Sequence, residues 1–411
     1  MVITCHVVKR LCDGSQIPLI TELQFFSKTF SAGVSAFFVL SGFLLSFPFW
    51  TAYFENQRLP SFRIYSLRRA ARIIPGYYVS LSFCFLMSLI LFPNPVHPVL
   101  RYLSGLTFTN AFTWQTLFPA EFNGPLWSVG FEVICYILLP FAMIGLFNIS
   151  KKRTPTIALF YWIGVLTIVL VINNFIQLYG QTNNFEKSWD FGLTGGAKVW
   201  WPNYNPIAFF GQYIFGVLAA AATIVIGNKL KEKSSSWIFD FFAITTTIFL
   251  ITILWTTRHQ SPFVMSFQSQ PYYFPLFPFG IAILLCTLPY SKFMGDIFDN
   301  RFFKFTALLS FGLYIWHNVV LEFFKLFWIP VYHHGGMKNI VQWLGISTVA
   351  LILAYCIAGL SWIFIEKPIL AWAHIKVEHI KVKYLRTRHH EQNHQSSPMQ
   401  VKSKEQKAIR S

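Results

Sequence analysis

Residues 125–147 read PLWSVGFEVICYILLPFAMIGLF, residues 148–155 read NISKKRTP, and residues 156–176 read TIALFYWIGVLTIVLVINNFI. A helix needs about 20 predominantly apolar residues to cross about 30 Å of hydrocarbon. Each long run supplies that length. Lys151, Lys152 and Arg153 stay in water or among headgroups between them, because a cation at the centre of a bilayer is costly. The stretch is a membrane hairpin whose turn is basic. One acidic residue, Glu132, lies inside it.

The same pattern repeats outward in both directions. Full spans are expected near 33–50, 76–92, 125–147, 156–176, 207–227, 237–257, 272–290, 306–329 and 341–365. Residues 1–8 resemble the end of one more. Only 12% of the 411 residues are charged, and 54% are hydrophobic. A soluble domain carries about 25% charged residues. The expected fold is all-α: a polytopic transmembrane bundle of about ten spans, the first truncated. Residues 1–370 form the membrane domain. Residues 371–411 form a basic tail, amphipathic at its start and disordered beyond. Residues 103–118 are moderately apolar and suit a re-entrant or interfacial piece.

The net charge of +17 does not indicate nucleic acid. Of the 33 Lys and Arg, 24 fall in alternate loops and the tail, all on one side under this span list. Cytoplasmic loops carry such an excess. The C-terminus is therefore expected to be cytoplasmic, with lipids as surroundings. Six cysteines are scattered with no CxxC pair. Neither a disulfide nor a metal is expected.

An ionisable side chain inside a span is a functional candidate by default. His6, Glu132, His317, Glu322 and Lys325 qualify. Glu132 and Tyr136 are four apart and share a helical face. Glu132 can orient a histidine, accept a hydroxyl proton, or make a helix–helix hydrogen bond. Arg69 and Arg72, with Arg68 beside them, lie where a helix enters the bilayer. Guanidinium groups suit phosphate oxygens, and they also anchor to lipid headgroups. His317 follows Trp316. A lone histidine on an apolar face is usually a hydrogen-bonded core residue; His6, just before a polar loop, carries an imidazole, the usual general base or acyl carrier near neutral pH. Glu322 and Lys325 are expected to pair across one turn. The Trp- and Asn-rich loop at 177–206 suits either sugar contact or the membrane interface.

Together these stretches resemble the membrane acyltransferase-3 family. GVSAFFVLSGFLLS at 33–46 is similar to its second-span signature. RRAARIIPGYY, NGPLWSVGFEVICY, LSFGLYIWH and LSWIFIEKPIL follow in the family's order. The resemblance spans about residues 5–370. It implies an integral membrane O-acyltransferase of the sugar-modifying type, standalone, without a fused esterase-like domain. Such an enzyme takes acetyl from cytoplasmic acetyl-CoA and delivers it to a carbohydrate hydroxyl. Lipopolysaccharide, exopolysaccharide, capsule and peptidoglycan are acceptors within the family. His6 matches the family's first-span histidine, with Glu132 and Tyr136 as its catalytic companions. Arg69 and Arg72 match an Arg-x-x-Arg motif and, with Arg68, become candidate CoA contacts. Trp316, His317 and Ser41 are further site candidates. Glu366 and Pro368 match the motif ending the last span.

Three positions depart from the pattern. Ser35 stands where an acidic residue is usual, and Val319 where a proline often follows the Trp-His pair. The family carries a basic residue eleven positions before the histidine, whereas five residues precede His6. The first helix is accordingly expected to be incomplete or to continue upstream of Met1. A glycan-lipid transporter or flippase remains a rival reading, although the sequence shows no internal repeat. An inactive relative lacking its first helix is the other.

Overall fold

The computed structural model describes residues 1–11, 18–180, 192–230, 236–261, 263–328 and 340–382. Among these residues there are helices and turns and no strand. Eight helical stretches are long and apolar enough to cross a bilayer. They match eight of the nine full spans expected. The ninth, 272–290, differs. It is a 12-residue helix, Leu276–Thr287, behind an irregular approach. Met265, Gln268, Ser269, Tyr272 and Tyr273 have positive φ there, and Pro271 and Pro275 punctuate it. Residues preceding proline avoid the helical region, so the apolar run cannot stay helical throughout. The tail beyond residue 382, with His389, His390 and His394, lies outside the described residues. So does much of the Trp- and Asn-rich loop, at 181–191.

In chain order the helices are α1 (Val2–Leu11), α2 (Pro18–Thr29), α3 (Gly33–Phe54), α4 (Phe62–Leu91), α5 (Pro98–Leu106), α6 (Trp127–Ile149) and α7 (Pro155–Gly180). There follow α8 (Gly192–Trp200), α9 (Pro206–Lys229), α10 (Ser236–Thr256), α11 (Leu276–Thr287), α12 (Phe293–Phe298), α13 (Arg301–Phe323) and α14 (Ile340–Ser361). Polar caps fix several starts. The Asn205 side chain accepts from Ile207 N and Ala208 N at 3.0 and 2.9 Å, with Pro206 next in line. Asn300 accepts from Phe303 N at 3.0 Å. Both satisfy amide groups that the first turn leaves without carbonyl partners.

At the centre α3 packs on α9 almost backbone to backbone. A Cβ on Gly216 would lie 1.8 Å from the Val39 carbonyl oxygen, and one on Gly42 would lie 2.2 Å from that of Tyr213. Small residues allow such contacts where no water drives helices together. The Trp50 indole N–H then donates to the Val217 carbonyl at 2.8 Å. The Gly42 contact sits one residue from Ser41.

α4 begins at Phe62, well before the span expected at 76–92, so Arg63 to Arg72 are helical. Its 30 residues extend about 45 Å, longer than the hydrocarbon is thick. The arginines therefore ride at one end of the bundle, here called the basic end. Arg153 joins that end by donating to the carbonyls of Ala52 and Gln57.

From the opposite end, the chain between α5 and α6 turns inward. Asn110, Ala111, Leu117, Phe122 and Asn123 are fully buried in irregular backbone. Such backbone survives at membrane depth only when protein satisfies it. Asn110 donates to the carbonyls of Leu117 and Trp127, and the Ser88 hydroxyl accepts from Phe122 N. Buried Arg101 pairs with Glu121 at 2.5 Å and donates to the Phe118 carbonyl at 2.6 Å.

Candidate active site

α1 is short, and neighbours hold it on several sides. Its Cys5 thiol donates to the Lys28 carbonyl, and Val7 packs in a cluster with Leu313, Val320 and Ala354. This lodges His6 against α13. The rings of His6 and His317 lie 5.1 Å apart, tilted by 57°. His6 is half-buried and His317 is buried. His317 Nδ1 lies 2.9 Å from the Leu313 carbonyl oxygen. A carbonyl only accepts, so Nδ1 carries the proton and Nε2 is the basic nitrogen of the neutral ring.

One turn toward the basic end lies Tyr314, its ring 6.0 Å from that of His317. The Tyr314 hydroxyl is 2.5 Å from Ser128 Oγ and donates to the Pro125 carbonyl at 3.0 Å. Phe37 stacks parallel to Tyr314. One turn further along each helix, Ser128 gives way to Glu132 on α6, and Phe37 to Ser41 on α3. Ser41 donates to Glu132 Oε1 at 3.2 Å, and the Tyr136 hydroxyl donates to the same oxygen. Glu132 is thus buried yet doubly hydrogen-bonded, as a polar group in a membrane core must be.

Below Tyr136 the site opens. Tyr65 donates to the Tyr136 carbonyl at 3.1 Å. A cavity of about 130 Å³ lies between α4 and α6, lined by Tyr65, Arg69, Ile73, Phe108, Val133 and Tyr136 among others. Arg69 makes no ion pair among the described residues. Arg72, one turn along, is committed elsewhere. It pairs with Glu366 at 3.3 Å and lies over the Trp362 ring. Glu366 ends a π-helical turn, Trp362–Glu366, that follows α14. Arg68 is exposed.

The candidates therefore fall into three groups. His6 and His317 meet at one level. Ser41, Glu132 and Tyr136 meet about two helical turns deeper. Arg69 faces the cavity beyond them, toward the basic end. Neither hydrogen bond of Glu132 goes to His6. Trp316 stands apart, edge-on to Phe83, beside an apolar groove with Val319 and Phe323. Ser35 is buried, and its hydroxyl has no hydrogen-bond partner among the described residues. Glu322 and Lys325 form the expected i,i+3 pair at 3.3 Å. Sequence reasoning passed over Tyr314 and Ser128, which bridge the two levels. Helical periodicity was the available signal: Tyr314 precedes His317 by three, and Ser128 precedes Glu132 by four.

The family model described as "Acyltransferase domain", of the acyltransferase-3 type, matches residues 1–359. The chain belongs to the acyltransferase-3 family. It is similar, at 25% identity over 361 residues, to a Bacillus subtilis protein named "Putative peptidoglycan O-acetyltransferase YrhL", covering 82% of this chain and 50% of that protein. At the same identity and length it is similar to "Peptidoglycan O-acetyltransferase OatA" of Listeria monocytogenes, covering 82% of this chain and 51% of that protein. The chain thus spans about half the length of the curated relatives it matches. No solved structure matches it. The column from Arg69 to His6 gathers the sequence candidates His6, Arg69, Glu132, Tyr136 and His317, while Arg72 and Glu366 brace its basic end.

Proposed function

We propose that the chain is a membrane O-acetyltransferase that carries an acetyl group from acetyl-CoA to a hydroxyl of a cell-surface glycan. The peptidoglycan O-acetyltransferase names of its relatives favour peptidoglycan over lipopolysaccharide or exopolysaccharide as the glycan class. The observation that carries the reading is the column itself. Arg69 stands at a cavity on the basic end, and a chain of hydroxyls and Glu132 leads from it to the His6–His317 pair. With positive charge marking the cytoplasmic side, the donor enters at Arg69 and the acceptor from the opposite face.

The guanidinium of Arg69 binds a CoA phosphate by charge-assisted hydrogen bonds. The narrow cavity passes the thioester arm between Tyr65 and Tyr136. His6, supported by His317, takes the proton of the acceptor hydroxyl. The alkoxide oxygen attacks the thioester carbonyl, the C–S bond breaks, and the CoA thiolate leaves and is reprotonated. General-base assistance of this kind is worth about 10²–10⁴ in rate.

The test is mass spectrometry of surface glycans from cells with and without the gene, beside cells carrying His6→Ala. O-acetyl groups should appear with the wild type only, while the variant inserts in equal amount. Full acetylation by His6→Ala would overturn the scheme.

A further inference from the structure

Two amides near the histidine pair have polar atoms with no hydrogen-bond partner among the described residues. Asn318 is fully buried, and neither its Oδ1 nor its Nδ2 is bonded. Asn123 is also fully buried. Its Nδ2 donates to the Ile315 carbonyl at 2.8 Å, but its Oδ1 is unbonded. Native proteins rarely leave such groups unmade, and each one calls for an explanation.

Their placement supplies one. Asn318 follows Tyr314 by four residues, so the two share a face of α13. Tyr314 is tied to Ser128 and to the carbonyl of Pro125, two residues beyond Asn123. Ile315, which Asn123 holds, is three residues before Asn318. The Asn318 face of α13 therefore addresses the segment containing Asn123, one turn nearer the opposite end than Tyr314 and at the level of His317. Together the amides offer an N–H₂ donor and two carbonyl acceptors, with no formal charge of their own. A sugar hydroxyl both donates and accepts, and uncharged amides match it.

We infer that Asn318, with Asn123, binds the acceptor sugar beside the His6–His317 pair. This rests on the acetyltransferase reading above for the ligand's being a sugar and for what happens to that sugar next. Asn318 is a ligand of the acceptor, and the CoA side of the column does not involve it.

The experiment uses the full chain in lipid nanodiscs, with a soluble β-1,4-linked N-acetylglucosamine oligomer as probe. Binding of the oligomer and acetyl transfer to it are measured separately for the wild type and Asn318→Leu. Leucine keeps the branched shape of asparagine and removes both unbonded atoms, although its methyl groups are bulkier than the amide, so loss of the unmade polar groups offsets the tighter packing and the variant should melt close to the wild-type temperature. The expected result is oligomer binding at least tenfold weaker in Asn318→Leu, with the KM for acetyl-CoA within twofold of wild type. Equal oligomer affinity in both proteins, or none in the wild type, overturns the inference. So does a parallel rise in both substrates' constants with a lowered melting temperature, which marks Asn318 as packing. Oligomer binding that depends on Asn318 without any acetyl transfer sustains the inference and sinks the acetyltransferase reading.

Discussion

Arg72 and Glu366 stand 294 positions apart in the chain and close a 3.3 Å ion pair. The pair ties α4 to the π-helical turn after α14, and Arg72 also reaches the Leu308 carbonyl on α13. Glu366 is almost fully buried, whereas Arg72 keeps 24% of its surface exposed. Removing the cation strands a buried carboxylate. Arg72→Ala should lose about 3–5 kcal/mol of stability, toward the lower figure because of that exposure. Thermal unfolding in detergent, monitored by size-exclusion chromatography, reads the loss. Replacing both partners, as in Arg72→Met with Glu366→Leu, should restore most of it. An Arg72→Ala protein that melts like wild type but fails to bind CoA would assign Arg72 to the donor instead.

Arg69 is expected to behave oppositely. It has no ion pair to lose among the described residues and lines the cavity beside Tyr136. Arg69→Ala should leave the melting temperature unchanged and raise the KM for acetyl-CoA about 10–100-fold, the worth of charge-assisted hydrogen bonds. Arg69→Lys should recover part of it, and exposed Arg68→Ala should change little. Steady-state kinetics with varied acetyl-CoA distinguishes the three.

At Glu132, charge and hydrogen bonding can be separated. Glu132→Gln keeps a carbonyl oxygen for the Ser41 and Tyr136 hydroxyls, so the protein should remain stable within about 1 kcal/mol. If the carboxylate supports proton transfer, kcat should fall about 10²-fold or more. Glu132→Ala leaves both hydroxyls buried without their acceptor and should cost about 1–3 kcal/mol besides. Wild-type turnover by Glu132→Gln would make Glu132 a structural brace.

Gly216 tests the packing of α3 on α9. A methyl group there meets the Val39 carbonyl at 1.8 Å, and a backbone atom cannot swing aside. Gly216→Ala should destabilise at or above the upper end of the about 1–3 kcal/mol typical of overpacking. Acetyl transfer should fall with it, because Ser41 rides on the displaced helix. Expression yield and the melting profile report the outcome; a wild-type profile would contradict the close α3–α9 contact.

The spans were legible because a bilayer imposes a blunt rule: a long apolar run must be helical. That rule located the helices carrying Glu132 and His317 and the arginines at the basic end. It was silent where backbone satisfies itself through side chains. The path from Thr107 to Asn123 and the approach to Leu276 depend on particular amides and positive-φ turns, so neither leaves a periodic trace. The histidine pair shows the other limit. His6 and His317 were each conspicuous, yet no spacing rule relates residue 6 to residue 317. Their meeting comes from packing of α1 against α13.

The inward-folded segment between α5 and α6 carries a consequence for how the protein is made. Asn123 completes its bond with the carbonyl of Ile315, 192 positions later in the chain. A ribosome delivers that carbonyl only after several further helices have entered the bilayer. Until then the segment has no finished wall on that side. The wall is therefore completed late in synthesis, once α13 has arrived. Nascent chains halted before it should hold every earlier helix in the membrane while residues 107–123 stay open to proteases.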